Sequence, residues 1–409
     1  MSCVSWLSCF FICEYTVSMV TFSAGAFSRK TKMDSLMLNP MLMDWESHQT
    51  RVFFNPSLPQ EEQQKIYTLI DQIENVEGHF WFASSGSTGK VKWVALSKDA
   101  LLASAEAVNT HLESTDQDCW LSALPVFHVG GFGVYARSYL SGAKLVHLNT
   151  KWDPAHFHES AAASQATLTS LVPAQIYDLV QAGLQAPPHL RAVIVGGGAL
   201  NIPLYQQAVK LGWRLLPSYG MTENSSQVAT APLSAVGQRE FPQLHILSHI
   251  QAAIDKEQLL KIKSLALLTG YALIEGEKIT FIDPKQEGWY VTDDRVLLDD
   301  GLLKILGRTG NFIKIGGESV DLQRLELILD GLKAKLKISY DAALVAKEHE
   351  RLGHVVHLAA TGSLTDELVT QYNHAVYPFE RIRQVHTLSK IPRTPLQKVC
   401  YSELIALLH

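Results

Sequence analysis

Four stretches of this 409-residue chain gather residue types that handle phosphate and carboxylate groups. Residues 84–90 read Ser-Ser-Gly-Ser-Thr-Gly-Lys. Glycines let the backbone curl so that successive N–H groups face one concavity, hydroxyls add donors and lysine adds charge, a composition suited to phosphate. The stretch fails the Walker A pattern, because Gly86 and Gly89 are too close and Val91 follows Lys90. Taken alone, it is equally a polar hairpin turn. Residues 217–226 combine Tyr219, Gly220, Thr222 and Glu223 after an apolar run, residues 288–294 end in Asp293 and Asp294, and residues 391–399 deliver Lys398 close to the C-terminus. Singly, these are a turn, an acidic loop and a solvated lysine.

Composition narrows the chemistry. Hydrophobic residues make up 47% and charged residues 18%, the profile of an ordinary globular protein. The net charge is -5 with no long Lys/Arg run, which argues against nucleic acid as a partner. Sixteen histidines include no HExxH and no close His/Cys spacing, so a metal cage is not indicated. Of five cysteines, Cys3, Cys9 and Cys13 sit near the N-terminus and Cys119 and Cys400 elsewhere, without a CxxC pair. That usage fits a reducing compartment, and a cytoplasmic location is expected. Residues 1–33 are apolar but lack a basic start and carry Glu14. They are read as a disordered or mis-started extension with Met19 or Met33 as the start; a signal or membrane anchor is the alternative. No other apolar run reaches spanning length, so no firm membrane association is expected.

Positioning elements follow from periodicity. "HFWFA" (79–83) and "VKWVAL" (91–96) read as strands flanking the polar turn, and Ser97 as the cap of a helix bearing Leu101, Ala105, Val108 and Leu112. Strands 119–124, 143–148, 167–172, 191–195 and 214–217 then alternate with helices around 132–141, from Asp153–Pro154, to about 184 and from Pro203. Short apolar strands alternating with amphipathic helices predict an α/β fold: mostly parallel sheets covered by helices, here with a β-rich subdomain after residue 228 from strands 259–264, 278–282 and 302–306. The Gly-bearing stretch 306–320 predicts a hinge near 307–312. Thus residues 34–307 are expected to form a large domain and 308–409 a small mobile α+β domain, with helix and strand candidates at 322–336, 342–346, 354–360 and 365–376.

Together and in this order, these stretches resemble the adenylate-forming superfamily of acyl-CoA synthetases, adenylation domains and luciferases. The likeness runs from about residue 79 to 400. Residues 84–92 look like its phosphate loop, Tyr219–Glu223 like its Tyr-Gly-x-Thr-Glu motif, Asp294 like its ribose-binding aspartate and Lys398 like its catalytic lysine. "LPVFHVGGFGVYAR" (124–137), "VGGGALNIPL" (195–204), "SYGMTENSSQV" (218–228) and the glycine-free "VTDD" are similar to the o-succinylbenzoate–CoA ligase branch, which serves menaquinone biosynthesis. Three positions depart from the pattern. Gly310 stands where an aspartate or lysine pivot is usual, Gln397 where glycine commonly precedes the catalytic lysine, and Asp293 where Thr-Gly-Asp has glycine.

The resemblance implies an ATP-dependent acid–CoA ligase with Mg²⁺, making an acyl-adenylate and then a thioester with coenzyme A as co-substrate. Ser84, Ser85, Gly86, Ser87, Thr88, Gly89 and Lys90 would hold the outer phosphates, Thr222 the α-phosphate, and Glu223 the metal. Gly197, Gly198, Ala199, Tyr219 and Gly220 would enclose adenine, with Asp294 and Arg308 on the ribose. Lys398 would bridge α-phosphate and carboxylate, and His128 would wall the acyl site. Arg137, Ser225 and Ser226 would meet a dicarboxylate's second acid group, while Gly316 and Gly317 would border the pantetheine tunnel. Each has a plainer reading: His128 is also a core histidine, and Arg137 also an exposed helix arginine. A fatty, aryl or amino acid ligase, an adenylation-only enzyme, or a non-catalytic relative stays open. A dinucleotide oxidoreductase fits poorly, since "GFGVYA" (131–136) does not follow a strand end. The oligomeric state is left open.

Overall fold

The computed structural model describes residues 45–56, 58–85, 91–148, 150–308, 312–315, 318–349, 352–362, 366–394 and 397–408. The extension 1–33, Gly86–Lys90, Gly310, Gly316 and Gly317 therefore lie outside the described residues. Strands β1 (Arg51–Phe53), β2 (Phe80–Ser85) and β3 (Val91–Leu96) come first, and β2 and β3, which flank residues 86–90 in sequence, pair antiparallel. Next come β4 (Cys119–Ser122), β5 (Lys144–His147), β6 (Leu168–Leu171), β7 (Ala192–Val195) and β8 (Leu215–Met221). Their four pairings are all parallel, in the order β5-β4-β6-β7-β8.

Alternating side chains explain why these strands read as continuous apolar runs. Trp120, Ile194 and Leu216 join one core cluster with Val108, Leu112 and Val134 of the helices Lys98–Leu112 and Val129–Ser141. Their neighbours Leu121, Val193, Val195 and Leu215 enter a second cluster with Phe157, Ile176, Leu179, Leu204 and Tyr205, from the helices Pro154–Ala163, Pro173–Gln181 and Ile202–Lys210. A strand buried on both faces has no position for a polar alternation. The caps follow local chemistry as expected: Ser97 Oγ accepts from Ala100 N–H, and Asp153 Oδ1 accepts from His156 N–H with Pro154 at the first helical position.

Beyond β8 the pairing turns antiparallel. Strands β9 (Ser226–Thr230), β10 (Leu244–Ile246), β11 (Gln251–Ile254), β12 (Leu259–Lys263), β13 (Gly270–Glu275), β14 (Lys278–Ile282), β15 (Tyr290–Asp299) and β16 (Leu302–Arg308) follow. They do not make one separate β-rich unit. β9, β10, β16, β15, β12 and β11 extend the parallel sheet to eleven strands, whereas β13 and β14 join β1, β2 and β3. The β13–β14 hairpin pairs with β3 and so seals the sheet that carries the 84–90 stretch.

A third sheet, formed from residue 312 onward, holds β17 (Phe312–Ile315), β18 (Glu318–Asp321), β19 (Ala342–His349), β20 (Gly353–Ala360) and β21 (Ile382–Thr387). The helices Leu322–Lys335 and Asp366–Ala375 cover one face through Leu325, Leu329, Leu368 and Tyr372. The helix Tyr401–Leu407 covers the other through Leu404. No helix among the described residues is long and apolar enough to cross a membrane.

Candidate active site

A cleft of about 1330 Å³ opens at the carboxyl ends of β4, β6, β7 and β8. In open α/β sheets this edge is where ligands bind, because strand order reverses there and the loops diverge. Here the reversal lies at β4, whose neighbours are β5 and β6. Ser84 reaches the cleft from β2, Gly197, Gly198 and Ala199 follow β7, and Tyr219, Gly220, Thr222 and Glu223 end β8. His128 and Arg137 contribute from the helix Val129–Ser141 and its approach, Asp294 from β15, and Lys398 from the unit built on the third sheet. Segments as far apart in sequence as Ser84 and Lys398 thus line one space.

Two glycines make the walls possible. A Cβ on Gly131 would lie 2.3 Å from the Pro125 carbonyl oxygen, so only glycine lets the helix start against the loop that carries His128. A Cβ on Gly220 would lie 2.1 Å from the Ser226 carbonyl oxygen, inside the β8–β9 hairpin at its register shift. The turn Thr222–Asn224 is pinned from outside. Leu268 N–H donates to the Glu223 carbonyl at 2.8 Å, and Ser225 Oγ donates to the Ala266 carbonyl at 2.8 Å. Ser225, buried and left-handed at φ 53°, is absent from the cleft wall; its hydroxyl holds the turn in place rather than facing a substrate.

Arg137 is 1% exposed, not a solvent-facing helix residue. Its Nη2 donates to Ser226 Oγ at 3.0 Å and its Nη1 to Ser170 Oγ at 3.3 Å, and the guanidinium lies 5.6 Å from the Trp120 ring. Nε has no partner, and no carboxylate pairs with the group among the described residues. Burial lowers its pKa to about 10, which leaves it charged at neutral pH. A buried cation with only hydroxyl partners is costly unless an anion completes it, so the arrangement has the chemistry to take an anion. Ser170 was not singled out in the sequence. A serine in an apolar strand gives no signal until the strand's carboxyl end is known to face the cleft.

His128 has a buried Nε2 without a partner among the described residues. Burial first and the Lys398 cation second push its pKa down to about 4, so the ring is neutral and Lys398 lies within electrostatic range. Tyr219 donates its hydroxyl to Asp294 Oδ2 at 2.6 Å, which fixes the carboxylate of the expected ribose ligand beside the tyrosine ring. Sequence gave no hint of this pair. Asp294 also stands opposite Arg308 in the β15–β16 register, while the Arg308 and Ser85 side chains lie outside the described residues.

Relatives share this architecture. The chain is 28% identical to a 2-succinylbenzoate–CoA ligase of Bacillus cytotoxicus, covering 90% of this chain and 81% of the relative. A Bacillus cereus protein of the same name is 28% identical, covering 78% of this chain and 68% of the relative. Among solved structures, o-succinylbenzoate CoA synthetase from Bacillus subtilis with its acyl-adenylate intermediate matches 80% of this chain and 68% of that one, with TM-score 0.68 and 24% identity. The same enzyme with ATP and magnesium matches 80% and 69%, with TM-score 0.69 and 22% identity. Residues 59–258 match the family model described as AMP-binding enzyme.

Proposed function

We propose that the protein is an AMP-forming acid–CoA ligase whose acid is a dicarboxylate of the o-succinylbenzoate type. The observation that carries this reading is that Lys398 and Arg137, two cations from separate parts of the chain, face one cleft with Thr222, Glu223 and Asp294. The relatives named for 2-succinylbenzoate support the choice of acid.

A carboxylate is a poor electrophile and repels a thiolate. Joining it to AMP removes the charge and supplies a leaving group. Carboxylate oxygen attacks the α-phosphorus of ATP, the bond to the β-phosphate bridging oxygen breaks, and pyrophosphate departs. The protein's part is positioning and charge stabilisation. Asp294, set by Tyr219, would accept from ribose hydroxyls, and Ser84 with the turn after it would hold the outer phosphates. Thr222 would donate to the α-phosphate. Lys398 would bridge α-phosphate and carboxylate as their charges meet. Glu223 would hold Mg²⁺, which when bound offsets phosphate charge. One hard carboxylate plus phosphate oxygens suits this ion, and no group of three or more ligating side chains exists among the described residues.

Arg137, with Ser170 and Ser226, would take the second acid group by paired N–H donation. Neutral His128 would border the acyl carbon without adding charge. In the second half-reaction CoA sulfur attacks the acyl carbonyl and AMP leaves. Gly316 and Gly317 are assigned to the pantetheine path, and 307/308 to the domain boundary, by resemblance. An ATP–pyrophosphate exchange screen over carboxylates tests the whole reading. Exchange with o-succinylbenzoate but not with benzoate or octanoate is expected. Exchange with the monocarboxylates alone would overturn the choice of acid, and none with any acid would overturn the ligase reading.

A further inference from the structure

Lys398 follows a residue in an unexpected conformation. Gln397 adopts φ 62°, the left-handed region that glycine enters freely and other L-residues enter only under strain. The usual glycine at this position therefore has a backbone reason, and this chain meets the same requirement without glycine. Hydrogen bonds close the turn. Thr394 N–H donates to the Lys398 carbonyl at 2.7 Å, Gln397 N–H to the Thr394 carbonyl at 2.8 Å, and Lys398 N–H to Thr394 Oγ1 at 3.2 Å.

One more contact comes from a side chain. Arg393 Nη1 donates to the Gln397 carbonyl at 2.6 Å, while its Nε and Nη2 grip Asp341 Oδ2 and Oδ1 at 2.8 and 2.6 Å. Asp341 precedes β19, and its N–H donates to Thr361 Oγ1 at 3.0 Å, so the fork is tied to the third sheet. Bidentate pairing of this kind fixes direction as well as distance. Arg393 does not line the cleft, whereas Thr394 and Lys398 do.

We infer that Arg393 is a positioning residue: anchored on Asp341, it holds Gln397 left-handed and so presents Lys398 to the cleft. The inference rests on the role proposed above for Lys398. Where glycine fills the position before the lysine, such a clamp has no strain to hold. In this chain the clamp and Gln397 should be coupled.

The two half-reactions separate this role from general stability. Arg393→Met is expected to lower the maximal rate of ATP–pyrophosphate exchange by roughly tenfold to a hundredfold, the loss of a charged hydrogen bond, with KM for ATP and acid near wild type. Thioester formation from preformed acyl-adenylate and CoA should stay within about twofold of wild type, since by resemblance that step does not use Lys398. Adding Gln397→Gly should recover most of the lost exchange, because glycine takes the conformation unaided. Asp341→Asn, which keeps the shape and one acceptor, should show a smaller loss of the same kind. Unchanged exchange in Arg393→Met, equal loss of both half-reactions, or no recovery by Gln397→Gly overturns the inference. Exchange that depends on Lys398 but not on Arg393 sinks it alone; no wild-type exchange with any acid sinks the proposed function and the inference with it.

Discussion

Arg137 and Lys398, both lining the cleft, are mounted in opposite ways. Arg137 is 1% exposed in a helix packed on the parallel sheet, and two serine hydroxyls hold its guanidinium. Lys398 is exposed, on a turn of the third-sheet unit, and by the inference above its placement depends on the Arg393–Asp341 ion pair, whose partners lie 52 residues apart in sequence. A group that identifies a ligand gains from immobility, since a rigid receptor spends no free energy ordering itself. A group needed for one step of two is better carried on a support that can withdraw. The difference suggests that recognition was built into the core and catalysis hung on its edge.

Substitutions can break that contrast. The largest effect is expected from Lys398→Ala, with ATP–pyrophosphate exchange reduced by about a hundredfold to a thousandfold, as for loss of a charge-stabilising group. Thioester formation from supplied acyl-adenylate should persist. Equal loss of both would mean that the lysine is as fixed a part of the site as Arg137. Next comes Arg137→Met, expected to reduce kcat/KM for o-succinylbenzoate by roughly tenfold to a hundredfold in a pyrophosphate-release assay. KM for ATP should change much less. An equal loss in kcat/KM for ATP would make Arg137 a structural group.

The smallest effect is a pH dependence of stability. His128 and His249 both have pKa values lowered to about 4, by burial first and, for His128, by the Lys398 cation second. Both rings fold neutral, so their contribution is complete above the ordinary histidine value near 6.5 and is lost as pH falls towards 4. Urea titrations should show a loss on the order of 1–3 kcal/mol per ring over that window. His249→Leu should flatten the decline. Lys398→Ala should flatten it slightly, by removing the charge that opposes protonation of His128. An identical acid limb in the Lys398 variant would mean that the lysine does not sit near the ring in solution.

Much of this was legible because it is local. Apolar runs such as "AVIV" (192–195) mark strands buried on both faces, and Ser97 and Asp153 mark helix starts. The chemistry-bearing stretches were legible from residue type and order. What stayed hidden depends on partners far apart. The run 278–282 groups in sequence with 259–264 and 302–306, but β14 pairs with β13, which pairs with β3. β21, "IRQVHT", lies along an exposed edge and lacks an apolar alternation. Ser225, expected beside Ser226 at the second acid group, turns elsewhere because adjacent residues at a left-handed turn point apart: Ser226 meets Arg137, and Ser225 meets Ala266. The Arg393–Asp341 clamp joins positions whose types are unremarkable in either place.

The hairpin from Tyr219 to Ser226 belongs to both ends of the cleft. Tyr219 steadies Asp294, and Ser226 supplies its hydroxyl to Arg137 and its carbonyl to the face of Gly220. Under the proposed function, altering residue 226 to suit a new acid would therefore also disturb the grip on ATP. Laboratory evolution of its selectivity should repeatedly gather compensating changes among residues 219–222, or else leave this hairpin alone and work through Ser170.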